Sequence, residues 1–151
     1  VRAGNCSMGI NVLLNAVRTV ARALGGEYDI EISETHHRFK KDAPSGTALM
    51  LGRAAAEGRN VQLPDVARYG REGHCPRQPG EIGISALRLG DTVGEHSVHF
   101  GSLGETVTLS HSAHTRDIFV RGALRAAGWL PGRQPGLYDM QDVLGLKEPR
   151  S

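Results

Sequence analysis

Across Gly25-Gly26 the spacing of apolar residues changes from three or four to two, and this switch narrows the folds open to the chain. Before it, Ile10, Leu13, Leu14, Val17, Val20, Ala21 and Leu24 fall on one face of a helix predicted from Gly9 to Leu24. After it, Tyr28, Ile30 and Ile32 alternate with Asp29, Glu31 and Ser33, the period of a strand with one face buried. The glycines stop the helix because glycine takes the left-handed cap conformation without a Cβ clash. Farther along, Thr47 to Glu57 is rich in Ala, Leu and Met and predicts a second helix, with Ser45 as its N-cap. Gly58 to Gly80 has no sustained period and reads as a long functional loop.

Three strands are then predicted, Ile82 to Arg88, Glu95 to Phe100 and Thr106 to Ser112, joined at Gly90-Asp91 and Leu103-Gly104 into a meander. Thr115 caps a helix running to about Ala127, with Asp117 in its first turn where a negative charge suits the dipole. A short turn is expected from Met140 to Leu144. The order of elements predicts an α+β fold, a four-stranded mixed sheet backed by helices. Ile82 to Leu87 carries apolar residues on both faces, which predicts that both sheet surfaces are buried.

The 151 residues allow one compact domain, and 39% hydrophobic with 23% charged residues describes a chain that folds. A net charge of +2 with no Lys/Arg block gives no footprint for nucleic acid or a membrane surface. No apolar run reaches the ~20 residues of a membrane helix. Cys6 and Cys75 form no metal-type spacing, so reduced thiols and a cytoplasmic location are expected. The first residue is Val, and the expectation is that the sequence begins inside a longer gene product.

Between the first strand and the second helix lie His36, His37, Lys40, Asp42, Ser45, Gly46 and Thr47. Imidazole titrates near neutrality, so either histidine can donate a proton. Lys40 adds a cation. Ser45-Gly46-Thr47 at a helix start offers free N–H groups, two hydroxyls and the positive dipole end, a cradle for carboxylate or phosphate. Taken singly, each of these describes a solvated loop with an ordinary cap; proton donor, cation and cradle together point to chemistry. The seven histidines suggest metal binding as an alternative. Against it, His96 and His99 lie three apart in a strand and so face opposite ways, and no H-E-x-x-H is present; no metal is expected. His96 reads as a strand contact or a residue lining the site, Arg116 at the last helix start as a solvated side chain or one facing an anion, and Trp129 as packing.

The stretch from Glu34 to Ala48 resembles the pattern E-x-H-H-x-x-K-x-D-x-P-S-G-T-A of dihydrodipicolinate reductases. The likeness continues through Arg71-Glu-Gly, Pro79-Gly-Glu-Ile-Gly83, Arg88-x-Gly-Asp91, Gly94-Glu-His-x-Val-x-Phe100 and Gly136-Leu-Tyr-Asp-Met140, essentially the whole chain. It implies reduction of a cyclic, dicarboxylated imine by NADPH or NADH, in lysine and diaminopimelate synthesis. By position, it implies His36 and Lys40 as the catalytic proton-transfer pair and His37, Ser45, Gly46 and Thr47 as substrate-binding, with Asp42 orienting the lysine or loop. Ala3, Gly4, Asn5 and Cys6 match the segment beside the nicotinamide, although Cys6 replaces a larger side chain. Residues 1–8 would be the remnant of a cofactor-domain junction and 9–151 a substrate-binding and oligomerisation domain, assembling as a homotetramer. The Gly-rich phosphate loop of a Rossmann half is missing, so the chain alone is expected to be inactive. A catalytically idle substrate-binding or oligomerisation module is the alternative the resemblance leaves open.

Overall fold

The computed structural model describes residues 1–147, so the last four residues of the expected domain lie outside it. Helix α1 (Met8–Leu24) is capped by Ser7, whose hydroxyl accepts the Ile10 amide at 3.3 Å, and it stops at Gly25 with φ of 65°. Its buried side chains, Ile10, Leu13, Leu14, Val17 and Ala21, follow the helical period read from the sequence. Strand β1 (Asp29–His36) runs farther than its apolar alternation reached, so that Glu34 and His36 belong to the strand and share its helix-covered face. Then come α2 (Gly46–Gly58), α3 (Leu63–Val66), β2 (Ala67–Tyr69), β3 (Ile82–Arg88), β4 (Gly94–Gly101), β5 (Thr106–Ala113), α4 (Asp117–Trp129) and α5 (Met140–Val143).

The sheet has five strands and not four, in the order β2-β3-β1-β4-β5. The added strand, β2, lies within the predicted long loop. Three residues are too few to display a period, and β2 is defined only by its parallel partners Ile82 to Ile84. The predicted meander is also corrected: β4 and β5 form the antiparallel hairpin, but β1 lies between β3 and β4, parallel to the first and antiparallel to the second. Gly90-Asp91 therefore does not reverse the chain onto its neighbour. Residues 89–93 cross the end of β1, where Leu89 N–H donates to the His36 carbonyl at 2.8 Å and Arg38 N–H to that of Gly90 at 3.0 Å. Two strand spacings are only about 10 Å, which five residues cover.

Helices α1 and α2 cover one face of the sheet, over Ile30, Ile32, Ile82, Ile84, Val98 and Phe100. Small residues bring the helices close. A Cβ on Gly58 would stand 2.5 Å from the Arg18 carbonyl oxygen, so this position admits no side chain at the present separation. The opposite face carries no helix among the described residues, and Ser85 and Leu87 on it are exposed in the single chain. That face is a polar ladder in which Ser97 Oγ meets Ser110 Oγ at 3.0 Å and His99 Nδ1 meets Thr108 Oγ1 at 3.0 Å. At its β3 edge the loop before β3 is tied down by Arg71 to Glu31 (2.9 Å) and Arg77 to Asp29 (2.8 Å). Among the described residues, no helix is long and apolar enough to cross a membrane.

Candidate active site

The candidate residues gather where β1 ends and α2 begins. Because β1 carries Glu34 and His36 two residues apart, both side chains emerge on one face. In register on the neighbouring strands, Arg88 of β3 lies opposite His36 and His96 of β4 opposite Glu34. Four ionisable side chains thus meet under the start of α2.

At the centre is Glu34, whose side chain is fully buried. Its Oε1 accepts Arg88 Nη2 and the Ser45 amide, each at 3.0 Å, and its Oε2 accepts Arg88 Nη1 at 3.0 Å and meets His36 Nδ1 at 2.5 Å. Burial pushes this carboxyl up, but hydrogen bonds from Arg88, His36 and the Ser45 amide outweigh it and hold the group below its ordinary range. It is an anion at neutral pH. A buried carboxylate is tolerated because both oxygens are filled and a guanidinium fork faces it.

Ser45 caps α2 as expected, its hydroxyl accepting the Ala48 amide at 3.2 Å. That hydroxyl also meets His96 Nε2 at 3.1 Å and the residue is only 2% exposed, so the side chain is turned into the protein. The amides of Gly46 and Thr47, which no described residue accepts, are the free donors of the helix start. Apart from its chain neighbours and its own helix backbone, nothing lies within 4 Å of where a Gly46 Cβ would be, leaving the backbone open to close approach. Thr47 Oγ1 accepts Asn5 Nδ2 at 3.0 Å. With that lone pair used, the Thr47 hydroxyl proton is free to donate.

Two cavities flank His36. The first, about 290 Å³, is lined by His36, His37, Lys40, Val93, Arg116 and Phe119. Lys40 Nζ bonds both carboxylate oxygens of Asp42 at 2.8 Å, and the ammonium holds Asp42 below the usual carboxylate range. Arg116, read from the sequence as solvated or facing an anion, belongs to this wall and makes no ion pair among the described residues. The second cavity, about 40 Å³, is lined in part by Asn5, His36, Thr47, Gly94, His96 and His111. His96 is 4% exposed; burial above all, and then the nearby His36, push its imidazole down to about 4, so it is neutral. Burial lowers His111 too. His96 Nδ1 and His111 Nδ1 are buried without a partner in the structure.

The four junction residues Ala3, Gly4, Asn5 and Cys6 are spread over three cavities. Only Asn5 reaches the second cavity, and its groups are committed: Oδ1 accepts Ser7 N–H at 2.8 Å and its carbonyl accepts Asn11 Nδ2 at 2.9 Å. Ala3 and Gly4 line a groove with Met50, Arg53 and Met140, and Ala3 and Cys6 line an apolar one against α4. These residues offer at most an edge for a nicotinamide. No Gly-rich turn from a strand into a helix exists among the described residues to take a pyrophosphate, so they do not fit a whole dinucleotide. His99 faces away from His96, and no three His, Cys, Asp or Glu side chains among the described residues converge as a metal site. The sequence reading gave no role to Glu34 and Arg88, which the fold places against His36. Both stand in the motifs that carry the family resemblance and had that much signal; Arg116 had only its place at a helix start, where it could face an anion.

Comparison with known proteins extends this picture. The family model described as dihydrodipicolinate reductase, C-terminus, matches residues 9–144. The 4-hydroxy-tetrahydrodipicolinate reductase of Rubrobacter xylanophilus is 60% identical over 144 residues, 95% of this chain and 55% of that protein. That of Caulobacter vibrioides is 56% identical over 150 residues, 98% of this chain and 58% of its own. Among solved structures, a dipicolinate-bound dihydrodipicolinate reductase from Paenisporosarcina sp. TG-14 has the same fold, with a TM-score of 0.70 at 24% identity, covering 93% of this chain and 52% of that one. The chain spans about half the length of the curated relatives it matches.

Proposed function

Since the chain belongs to the dihydrodipicolinate reductase family and matches its C-terminal part, we propose that it is the substrate-binding half of a 4-hydroxy-tetrahydrodipicolinate reductase of lysine and diaminopimelate synthesis. Residues 9–151 form that half and residues 1–8 the remnant of the junction. The observation that carries the proposal is the placing of His36 as the wall shared by two different cavities. On one side Lys40, Arg116 and His37 supply cationic and polar donors. On the other, Thr47 leads to the helix start, where the Gly46 and Thr47 amides and the Thr47 hydroxyl supply neutral ones. A cyclic dicarboxylate has two anionic groups held apart by a ring and needs two such sites, with a proton donor between them.

In this reading Thr47 and Gly46 hold one carboxylate and Lys40, Arg116 and His37 the other. Ser45 acts by fixing the helix start on Glu34 and His96, and not by touching substrate. His36 and Lys40 deliver the proton, Asp42 keeping the ammonium in place. The hydride comes from NADPH or NADH bound chiefly by a part outside this sequence, so the chain alone does not turn over substrate, and it works in the cytoplasm. The uncovered polar face of the sheet is where copies of the chain assemble, as a tetramer.

Calorimetric titration with dipicolinate tests the site. Binding is expected, and Thr47→Val should weaken it roughly tenfold, the worth of one hydrogen bond to a charged group. No heat from the unaltered chain, or equal affinity in the variant, would refute the site. Normal reductase kinetics from this chain alone would refute the division of labour, and a monomer in sedimentation at micromolar concentration would refute the assembly.

A further inference from the structure

We infer that Glu34, clamped by Arg88, is a positioning residue for the proton donor: it fixes His36 in the tautomer bearing hydrogen on Nδ1 and so keeps Nε2 as the nitrogen that exchanges protons with substrate. The inference rests on the reading of His36 as that donor. It adds the group that determines which of the two ring nitrogens does the work.

The geometry allows little else. Glu34 Oε2 meets Nδ1 at 2.5 Å, and a carboxylate only accepts, so Nδ1 must be the donor. The carboxylate cannot turn away, because the guanidinium fork of Arg88 bonds both of its oxygens and the Ser45 amide bonds one. Arg88 is held in turn, its Nη2 donating to the Asp42 carbonyl at 2.7 Å. His36 is fixed at its backbone by the Leu89 amide and at its ring by the edge of His96, with centroids 5.1 Å apart and planes at 75°. Nε2 has no partner among the described residues, and a Cβ on Gly94 would come within 3.0 Å of it, so glycine at that position leaves this nitrogen uncrowded.

The groups facing Glu34 are Arg88 from β3, His36 on its own strand, the Ser45 amide at the α2 cap and neutral His96 from β4. The net arrangement is an anion whose remaining charge is directed at His36. It orients the neutral ring, and it stabilises the imidazolium that must form each time the donor is reloaded. The Arg88 pairing keeps Glu34 from taking the proton itself.

The tautomer can be read directly in the chain. In long-range ¹H–¹⁵N spectra near pH 8, His36 is expected to show a protonated Nδ1 and an unprotonated Nε2. Glu34→Gln puts an amide where the carboxylate was and should move the ring to the Nε2–H form or to a mixture. An unaltered chain with His36 in the Nε2–H form overturns the inference without any variant, and so does an unmoved tautomer in a folded Glu34→Gln protein. In a chimera in which the unmatched N-terminal part of the Caulobacter vibrioides relative precedes this sequence, Glu34→Gln should lower kcat roughly tenfold to a hundredfold and leave KM within about twofold. A loss confined to KM counts against the inference. Dipicolinate binding separates the two readings. Binding without the expected tautomer sinks only this inference, while the expected tautomer without binding sinks the proposed function.

Discussion

Acidification should unfold this protein earlier than its carboxylates require, and the cause is His96. The ordinary imidazole value is 6.5, and burial in the fold brings His96 to about 4. Between those two values the unfolded chain takes up a proton that the native state refuses, so stability is complete above 6.5 and falls as the pH drops toward 4. Integrating one such group from pH 7.5 to pH 5 gives a loss of about 2 kcal/mol, from 1.36 kcal/mol per pH unit at full slope. Glu34, held below its ordinary value, loses its contribution only at still lower pH, which leaves the window above pH 5 clear of it. The groups that bear on His96 are His36, Glu34, His111 and Lys40, and His111, also lowered by burial, adds a smaller slope of the same sign. The measurement is urea unfolding at a series of pH values, with His96→Gln as the comparison. The amide can still bond the Ser45 hydroxyl and cannot titrate. The variant should lose less than about 1 kcal/mol over the same range. Equal slopes in the two proteins would show that His96 is not held neutral by burial, and the reasoning would fail.

Two further outcomes are expected. Arg88→Ala leaves Glu34 buried without its fork, and removing one partner of a buried ion pair costs about 3–5 kcal/mol, to be read as a fall in the urea midpoint; a change of less than about 0.5 kcal/mol would mean that the carboxylate finds another partner or water. Gly58→Ala forces α1 from α2, because its Cβ would sit 2.5 Å from the Arg18 carbonyl oxygen and 2.8 Å from the Ala21 Cβ. Overpacking of this kind costs roughly 1–3 kcal/mol, more than the helix propensity of alanine returns, and an unchanged midpoint would contradict the close helix pairing.

The sequence by itself determined what depends on near neighbours in the chain. The extent of α1, the Ser45 cap and the β4–β5 hairpin follow from period, capping chemistry and turn residues. The family motif, too, was legible as a run of residues, and the family match over 9–144 agrees with it. Only the tertiary structure decided what depends on contacts between distant parts. Whether β3 pairs with β1 or with β4 is not written in either strand's alternation, since each of the three offers apolar residues to the helices. In the fold β1 lies between the two, its isoleucines beside those of β3 and beside Val98 and Phe100 of β4 in one core. The same holds in the site. Arg88 stands 54 residues from Glu34, and Ser45 stands 51 from His96. Arg116 reaches the His36 cavity only because α4 begins beside it. The chain therefore carries His36, Lys40 and the amides at the start of α2 as local sequence, whereas the surroundings of the buried Glu34 that bonds His36 are completed by strand register, because a charge can stay in the core only where distant partners close around it.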